Sequence, residues 1–364
     1  MRKILPLAML CLLLVGCGSQ EVPETQAPTT AGTTTSTEAT TTPTESTTVP
    51  TEPEVLYRHP LTGEVLDAPF TNRPVAISTG NTRAAMPQMG ISYADILLEM
   101  EEEGGVTRFM AVISQYENVS AMGPIRSTRT FFNNAAEAFN ASLVHCGGSA
   151  RGIKGYHDLT GSKISPWEHI DEQLNGKYFY RDQQRLSEGY ATEHCLFVKG
   201  EKLAAVMAEK GYNTAEAWDL GLQFRDESRT GGSAANEVTV SFLGGKKTGF
   251  QYDSATGLYK ASQYGSALID GLTGNQLTFR NILVLTTGQS HKSEGRYVRS
   301  YYDMVGQGEG VLAVDGQLVS IRWQRESLND PFRFTDEKGD PLELGVGKTY
   351  MAIVSDKANE VKTA

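Results

Sequence analysis

Hydrophobic residues in the first half of the chain occur in short runs that are apolar at consecutive positions. Four of these runs are predicted strands, at 73–79, 93–100, 106–116 and 141–146. Strands that are apolar on both sides belong to a sheet that is covered on both faces. Segments 128–139 and 199–212 read as helices, and Gly211 stands where a C-cap is expected. The pattern predicts an α/β domain over 55–225, with a mixed sheet and flanking helices.

After about residue 232 the pattern changes to strand-like segments separated by turn residues. These segments are "NEVTVSFL", "GFQYDSATGLYKAS", "NILVLTTG", "GRYVRSYYDMV", "GVLAVDGQLVSIRWQR" and "KTYMAIV". Within the fifth segment, Asp315-Gly316 separates two alternating runs and predicts a tight hairpin. We therefore predict a smaller, mainly β domain over 237–356, joined to the first by 226–236 and followed by a tail at 357–364.

The N-terminus has a different character from the rest of the chain. Two basic residues precede an apolar run from Ile4 to Val15, which is too short to span a bilayer and has the dimensions of a signal peptide. Residues 1–17 end in Leu-Val-Gly-Cys, which resembles the lipobox of bacterial lipoproteins, so Cys17 is the expected lipidation site; an ordinary signal peptide is the alternative. Residues 18–54 are rich in Thr, Pro and Glu and predict a disordered linker. The expected location is the outer face of the cytoplasmic membrane, held there by the lipid.

The charge balance limits the classes of partner. From residue 55 onward the chain carries 31 basic and 37 acidic side chains. A general nucleic-acid binder needs a basic face to displace counterions, so no nucleic-acid partner is expected. The membrane is an expected partner through the N-terminal lipid, and cell-wall polymer or envelope proteins are further candidates. No cofactor and no catalytic residue are assigned.

The segment "GPIRSTRTFF" (123–132) contains the most informative charges. It places Arg126 and Arg129 three residues apart at the predicted start of a helix, where Ser127 or Thr128 is expected to cap. A helix N-terminus already carries about half a positive charge, so two arginines there are unfavourable unless an anion is near. That anion is either a ligand carboxylate or phosphate, or a protein carboxylate from the run that precedes Arg108, at Glu99, Glu101, Glu102 and Glu103. The two alternatives can coexist, because arginine binds planar carboxylates in either role.

A series of separate motifs occurs in order over residues 56 to 355. These motifs are "HPLTGE", "RPVAI", "MPQMGISYADILLE", "EEGGVTRFMAV", "GPIRSTR", "VHCGGS", "FYRD", "EHCLFV", "NDPFRF" and "PLELGVGKTYMAIV". Together they resemble the YerB-like lipoproteins, a family of unassigned biochemical function. The resemblance implies a lipidated N-terminus, a linker, an α/β domain and a smaller β domain, and it implies no reaction.

The family pattern also draws attention to polar residues that gather in the first domain. As ligand-binding candidates we assign Arg126, Arg129, Arg108, His145, Arg181 and His194, and as supporting ion-pair residues Glu99, Glu103 and Asp182. The chain departs from the family pattern at Cys146, where a small residue is usual, and at Cys195, where asparagine is usual. After processing, these two are the thiols left in an exported compartment, so a Cys146–Cys195 disulfide and two separate buried thiols are the leading alternatives.

The spacing of the histidines and cysteines disfavours a zinc site and a catalytic Cys–His pair. Zinc held by the two His-Cys pairs, at 145–146 and 194–195, is disfavoured because adjacent strand residues point to opposite faces; no metal is assigned. A Cys–His nucleophile meets the same difficulty for His145 and Cys146, although His194 could serve. The central hypothesis is a non-enzymatic envelope lipoprotein that binds an anionic group through Arg126 and Arg129. A cell-wall-polymer hydrolase that uses Glu or His of the first domain, and a scaffold for envelope-synthesis proteins, are the rival hypotheses.

Overall fold

The computed structural model describes residues 56–149, 169–213, 219–357 and 360–364. By contacts the chain divides into Met1–Pro53 and one compact unit, Glu54–Ala364. The predicted signal peptide, Cys17 and the linker at 18–54 lie outside the described residues. All the helices and strands below belong to the compact unit.

The described residues form mostly short strands and few helices. The helices are α1 (Thr130–Ala138), α2 (Glu172–Asn175), α3 (Gln183–Ser187) and α4 (Gly200–Lys210). The strands are β1 (Tyr57–Arg58), β2 (Val65–Leu66), β3 (Val75–Gly80), β4 (Ile96–Glu101), β5 (Thr107–Ile113), β6 (Ser142–His145), β7 (Ile170–Asp171), β8 (Phe179–Arg181), β9 (Leu196–Val198), β10 (Gln223–Arg225), β11 (Ser233–Ala234), β12 (Glu237–Ser241), β13 (Lys247–Asp253), β14 (Leu258–Gln263), β15 (Ser266–Ala267), β16 (Thr278–Phe279), β17 (Asn281–Thr287), β18 (Gln289–Glu294), β19 (Tyr297–Tyr302), β20 (Gly306–Val314), β21 (Gln317–Arg325), β22 (Arg333–Asp336), β23 (Glu343–Gly345), β24 (Thr349–Ser355) and β25 (Glu360–Thr363).

The largest sheet formed by the described strands runs through both predicted parts of the chain. Its order is β11-β21-β20-β17-β24-β4-β5-β3-β6-β7, with β22 also paired to β21. β24 lies parallel to both of its neighbours, and its residue Met351 is opposite Leu283 of β17 and Leu98 of β4. The pairs β3–β6 and β6–β7 are also parallel, whereas β4–β5 and β20–β21 are antiparallel. The predicted mixed strand directions are therefore confirmed, and one sheet joins the two parts. The limits 55–225 and 237–356 stay a prediction.

Both faces of this sheet are buried, as the doubly apolar strands predict. One face packs against α4 and against a second sheet of the order β15-β14-β13-β12-β25. The other face packs against α1, whose buried residues include Phe131, Phe132 and Ala135. Because side chains alternate along a strand, Leu97 of β4 belongs to the first core and Leu98 to the second.

The fold is more β-rich than the α/β prediction. Of the described residues, 45% are in strands and 15% are helical. Both longer helices occur where helical spacing predicts them, and α4 ends at Gly211 with a positive φ of 71°. The Asp315-Gly316 hairpin is also confirmed, with φ angles of 56° and 71° between β20 and β21. The α/β description holds only loosely, because α2 and α3 are single turns and strands of the second part extend the main sheet.

Candidate functional site

The segment 123–129 is fixed by backbone hydrogen bonds on both sides. Its Arg126 N–H donates to the Ser78 carbonyl of β3 at 2.8 Å, and its Ile125 N–H donates to the Leu196 carbonyl of β9, also at 2.8 Å. Arg129 itself is the N-cap residue of α1, with extended backbone and no side-chain cap. The expected cap by Ser127 or Thr128 is therefore wrong: the Thr128 hydroxyl donates instead to the Asn133 side chain at 2.7 Å.

Carboxylates of the protein enclose Arg129. Its Nη2 lies 3.0 Å from Glu103 Oε2 and 3.3 Å from Glu102 Oε1, and its Nε donates to both Glu103 oxygens. Only 10% of the Arg129 side chain is exposed. The anion that this helix start requires is thus supplied internally, which is the protein-carboxylate alternative of the two left open by the sequence.

Arg108 belongs to the same group of charges. Its guanidinium lies 2.6 Å from Glu102 Oε2 and donates to the Ser127 carbonyl. Burial lowers its pKa to about 10, against the opposing effect of Glu102. On the far side, Arg299 of β19 contacts Glu103 at 3.1 Å. We call Arg108, Glu102, Arg129, Glu103 and Arg299 the ion network; its paired arginines leave no open anion site at Arg108 or Arg129.

Burial alone would raise the pKa of Glu103, but the opposing hydrogen bonds and charges of Arg129 and Arg299 prevail and hold it below its usual value. The carboxylate therefore stays ionised within the ion network at neutral pH.

Glu99 lies outside the ion network, contrary to its expected role beside the arginines. It is fully buried on the face of β4 that packs against the second sheet, and its ion pair is with Lys246 at 3.1 Å. The remaining hydrogen bonds to its carboxylate come from Tyr350 (2.7 Å), Thr248 (2.8 Å), Asn81 (2.9 Å) and Thr107 (2.5 Å). Glu99 therefore links the two parts of the chain from inside the core.

Arg126 and Arg181 meet at a different place. Both guanidinium groups donate to the turn at 192–194: Arg126 Nη1 to the Glu193 carbonyl at 2.8 Å, and Arg181 Nη1 to the Thr192 carbonyl at 2.9 Å. Arg126 also pairs with the Glu193 carboxylate at 3.3 Å; 22% of the Arg126 side chain and 62% of the Glu193 side chain are exposed. This ion pair is accessible to water, and Arg181 is exposed beside it.

A third arginine contacts the same turn, and no pattern in the sequence singles it out. Arg185 is buried, donates to the carbonyls of Ala85 and His194 at 3.3 and 3.2 Å, and lies 4.9 Å from the ring centres of Tyr190 and Phe197. We call Arg126, Arg181, Arg185 and His194 the arginine corner. Burial, together with Arg126 and Arg185, lowers the pKa of His194, so its imidazole is neutral at pH 7.

Two other predicted residues have structural contacts. Asp182 is the N-cap of α3 and accepts from the backbone N–H groups of Gln184 and Arg185 at 2.9 and 3.2 Å, so the described part of the chain gives it a capping role in place of the expected ion pair. His145 is buried at the end of β6, with Nδ1 2.9 Å from the Gly147 carbonyl and 3.8 Å from Asp171. Burial lowers the pKa of His145, which leaves it neutral and inside the fold.

Cys146 and Cys195 are separate free thiols, so the disulfide alternative is wrong; Cys195 is buried as expected, whereas Cys146 is only half-buried. The Cys146 thiol donates to Glu172 at 3.3 Å, whereas Cys195 is buried and donates to the Ala191 carbonyl at 3.4 Å. Burial and the Glu172 carboxylate raise the pKa of Cys146 to about 12, and burial raises that of Cys195. Neither thiol is activated as a nucleophile.

We expect native alkylation of both thiols by iodoacetamide at pH 8 to be at least about tenfold slower than that of free cysteine, because the thiolate is the reactive form. Mass spectrometry of the chain from residue 18 should show two free thiols without reductant, and both should react after denaturation. A mass two units lower, or rapid labelling of Cys146, would contradict this assignment.

Within the described ranges, no group of three or more His, Cys, Asp or Glu side chains has the arrangement of a metal site. In the same residues, none of the helices has the length and apolar character needed to cross a membrane.

The chain is similar to known proteins over both of its parts. The model for "Protein of unknown function (DUF3048) N-terminal domain" matches residues 61–213, and that for the corresponding C-terminal domain matches 238–351. The Bacillus subtilis (strain 168) protein named "Putative lipoprotein YerB" is 27% identical over 302 residues, which cover 82% of this chain and 86% of that protein. The crystal structure of YerB from Bacillus subtilis aligns with a TM-score of 0.68 at 25% identity, covering 84% of this chain and 99% of that one.

Proposed function

Because this chain belongs to the YerB-like family, whose two domains are described as of unknown function, we propose that it is an envelope lipoprotein that binds an anionic group at the arginine corner. The observation that carries the proposal is the imbalance of charge there. In the described residues, Arg181 and Arg185 donate to backbone carbonyls and have no carboxylate within ion-pair distance, and Arg126 has only the exposed Glu193.

This geometry suits a carboxylate or a phosphate. Arg126 and Arg181 donate to neighbouring carbonyls of the turn at 192–194. Each of them retains further guanidinium N–H donors. A planar guanidinium fork binds such anions with two parallel hydrogen bonds. The incoming anion would displace Glu193, whose mostly exposed carboxylate is a weak competitor. Buried Arg185 adds positive potential without needing to move.

The source of the anion follows from the expected location. The lipobox-like sequence ending at Cys17, and the lipoprotein name of the Bacillus subtilis relative, support attachment of this chain to the outer face of the cytoplasmic membrane through a lipid, such as palmitate, on that cysteine. At that location, cell-wall fragments carry free carboxylates, and partner proteins present acidic side chains. We propose the wall fragment as the ligand.

The test is a charge-removal pair with a matched control. We expect Arg126→Ala with Arg181→Ala to weaken binding to purified peptidoglycan by tenfold or more, because each charge-assisted hydrogen bond contributes about 1.5–3 kcal/mol. Cosedimentation with peptidoglycan and calorimetric titration with a soluble muramyl peptide give the affinities.

The control is Arg322→Ala with Arg333→Ala, which removes two exposed arginines from the second part of the chain. Equal binding by both double variants and the native chain would eliminate the arginine corner as the site. Absence of native binding to either probe would eliminate the wall fragment as the ligand.

Two clefts elsewhere in the described residues give less support to the hydrolase hypothesis. One, of about 380 Å³, lies between 91–94 and 275–280, and its lining contains Arg280 and Lys348 but no carboxylate or histidine. Another, of about 410 Å³, contains Glu309 and Glu337 together with Arg322. The lining of neither cleft contains a histidine, and only the second contains carboxylates.

A further inference from the structure

The strands β18 and β19 form a hairpin that pairs with no other strand of the described residues. Gln289 lies opposite Tyr302 at its base and Glu294 opposite Tyr297 at its tip, where Gly295 and Arg296 make the turn. The four residues from 295 to 298 are all exposed. The tip therefore presents both of its sides to solvent.

Apolar side chains at the tip of this hairpin are well exposed. Tyr297 is 48% exposed and Val298 57%, and Val305, just beyond the hairpin, is 45% exposed. These are three of the seven large hydrophobic residues that are exposed in the described part of the chain. Because Tyr297 and Val298 are consecutive in β19, alternation puts one of them on each face of the tip.

The hairpin is basic, although the body is acidic. Between 289 and 302 it contains Lys292, Arg296 and Arg299 and the single acid Glu294, which accepts from the Tyr301 hydroxyl. Arg299 is paired with Glu103, so the exposed cations are Lys292 and Arg296. Three cations of the hairpin lie over its tyrosine rings: Lys292 Nζ is 4.8 Å from the Tyr301 ring centre, and Arg296 and Arg299 are 4.9 and 4.6 Å from that of Tyr297. Cations and tyrosines thus share one surface.

The ion network holds the base of this hairpin. Glu103 binds Arg299 at 3.1 Å and accepts from the Ser300 N–H at 3.3 Å, and the Tyr302 hydroxyl donates to the Glu101 carbonyl at 3.0 Å. Tyr302 is buried, while Lys292, Arg296 and Tyr297 are exposed. The base is fixed to the turn at 101–103, so the tip has a defined position on the body.

We infer that the tip of this hairpin docks on the surface of an anionic phospholipid bilayer. Charge complementarity selects this occupant, because lysine and arginine near a surface of anionic lipid are attracted to it. Tyrosine with an adjacent cation is typical of side chains at the membrane–water interface, and Val298 adds a small apolar group that can enter the headgroup region.

The inference deepens the proposed function and rests on its lipid attachment, since the lipid would bring the tip close to the membrane. A second, weaker contact becomes effective when the first one raises its local concentration. The hairpin would then orient the body, including the arginine corner, with respect to the membrane.

The experiment uses the chain from residue 18, which lacks the lipid and contains the whole compact unit Glu54–Ala364. Its cosedimentation with vesicles of phosphatidylglycerol and phosphatidylcholine at low salt is compared with that on pure phosphatidylcholine. We expect at least about tenfold stronger partitioning onto the anionic vesicles, and a decline in 0.5 M salt because exposed charges are screened.

The diagnostic variants are Lys292→Glu with Arg296→Glu, and Tyr297→Ser with Val298→Ser. Each pair should reduce partitioning onto the anionic vesicles about tenfold or more. The matched control is Lys247→Glu with Lys338→Glu, which makes the same charge change at two exposed residues outside the hairpin and should retain native partitioning. All the substituted residues are exposed, and thermal unfolding verifies that each variant is folded.

Equal partitioning of the native chain onto the two kinds of vesicle would overturn the inference, as would loss of binding in the control pair. Saturable binding to a purified acidic protein or to nucleic acid, without vesicle binding, would assign the surface to another partner. The Arg126→Ala, Arg181→Ala variant should bind vesicles normally. Failure of the arginine corner and failure of the hairpin are therefore distinguishable.

Discussion

Replacing Glu99 by alanine is expected to lower the free energy of unfolding by about 3–5 kcal/mol, because it leaves a buried cation without its partner. Lys246 Nζ would retain only neutral neighbours, Thr248 at 2.9 Å and Gln263 at 3.0 Å. Tyr350 and Thr107 would also lose the carboxylate that accepts from them. Because these residues come from both parts of the chain, the whole compact unit should be destabilised together.

Urea unfolding followed by circular dichroism measures this effect. Glu309→Ala, at an exposed position on β20, is the control and should change stability by less than about 0.5 kcal/mol. Lys246→Met should also be strongly destabilising, and the double variant should cost less than the sum of the two single ones, since residues in contact are coupled. Additive effects of the two substitutions, or a small loss of unfolding free energy in the Glu99 variant, would show that the Glu99–Lys246 pair does not join the two parts of the chain.

Replacing Arg129 by methionine is expected to lower the free energy of unfolding by about 2–4 kcal/mol at pH 7, because Glu102 and Glu103 would lose a largely buried partner. Arg126→Met, in the same motif, is the control. Its ion pair with the exposed Glu193 should contribute less than about 1 kcal/mol. Similar effects of the two substitutions would contradict the distinction between the ion network and the arginine corner.

The pH dependence gives an independent measurement of the Arg129 effect. The pKa of Glu103 is lowered in the folded state, so its contribution is fully present above the unfolded value, about 4.3. It is lost as the pH falls from there through the folded value. The difference in stability between the native chain and the Arg129→Met variant should therefore be constant near neutral pH and shrink below about pH 4.3. A difference that grows on acidification would exclude Glu103 as the responsible partner.

Local patterns in the sequence predicted local features of the fold. The Asp315-Gly316 turn and the Gly211 cap need positive φ angles, and those residues adopt them. The pairing of Arg129 with Glu103 was one of the two alternatives for the motif at 123–132. The position of Glu99 inside the core could not be predicted. Alternation along β4 puts Glu99 on the face opposite Leu98 and Met100, but it does not tell which of the two faces α1 covers.

The pairing of strands that are far apart in the chain was the main feature that the sequence could not predict. The segment 348–354 reads as one more strand of a β part, and nothing in its own sequence places it beside Ile96–Glu101, some 250 residues earlier. Arg185 was missed for a related reason. It lies in a polar stretch, 181–188, and its burial arises from Ala85, Tyr190 and Phe197, which only the folded chain brings together.

The position of β24 has a consequence for how the protein is made. Among the described strands of the main sheet β24 comes last in the chain, yet it lies inside the sheet, with β17 on one side and β4 on the other. Until residue 355 is available, β4 and β17 both keep an open edge, which is a site for wrong pairing with other chains. A chain truncated before residue 349 would therefore be poorly soluble, because the edges of β4 and β17 would both stay open.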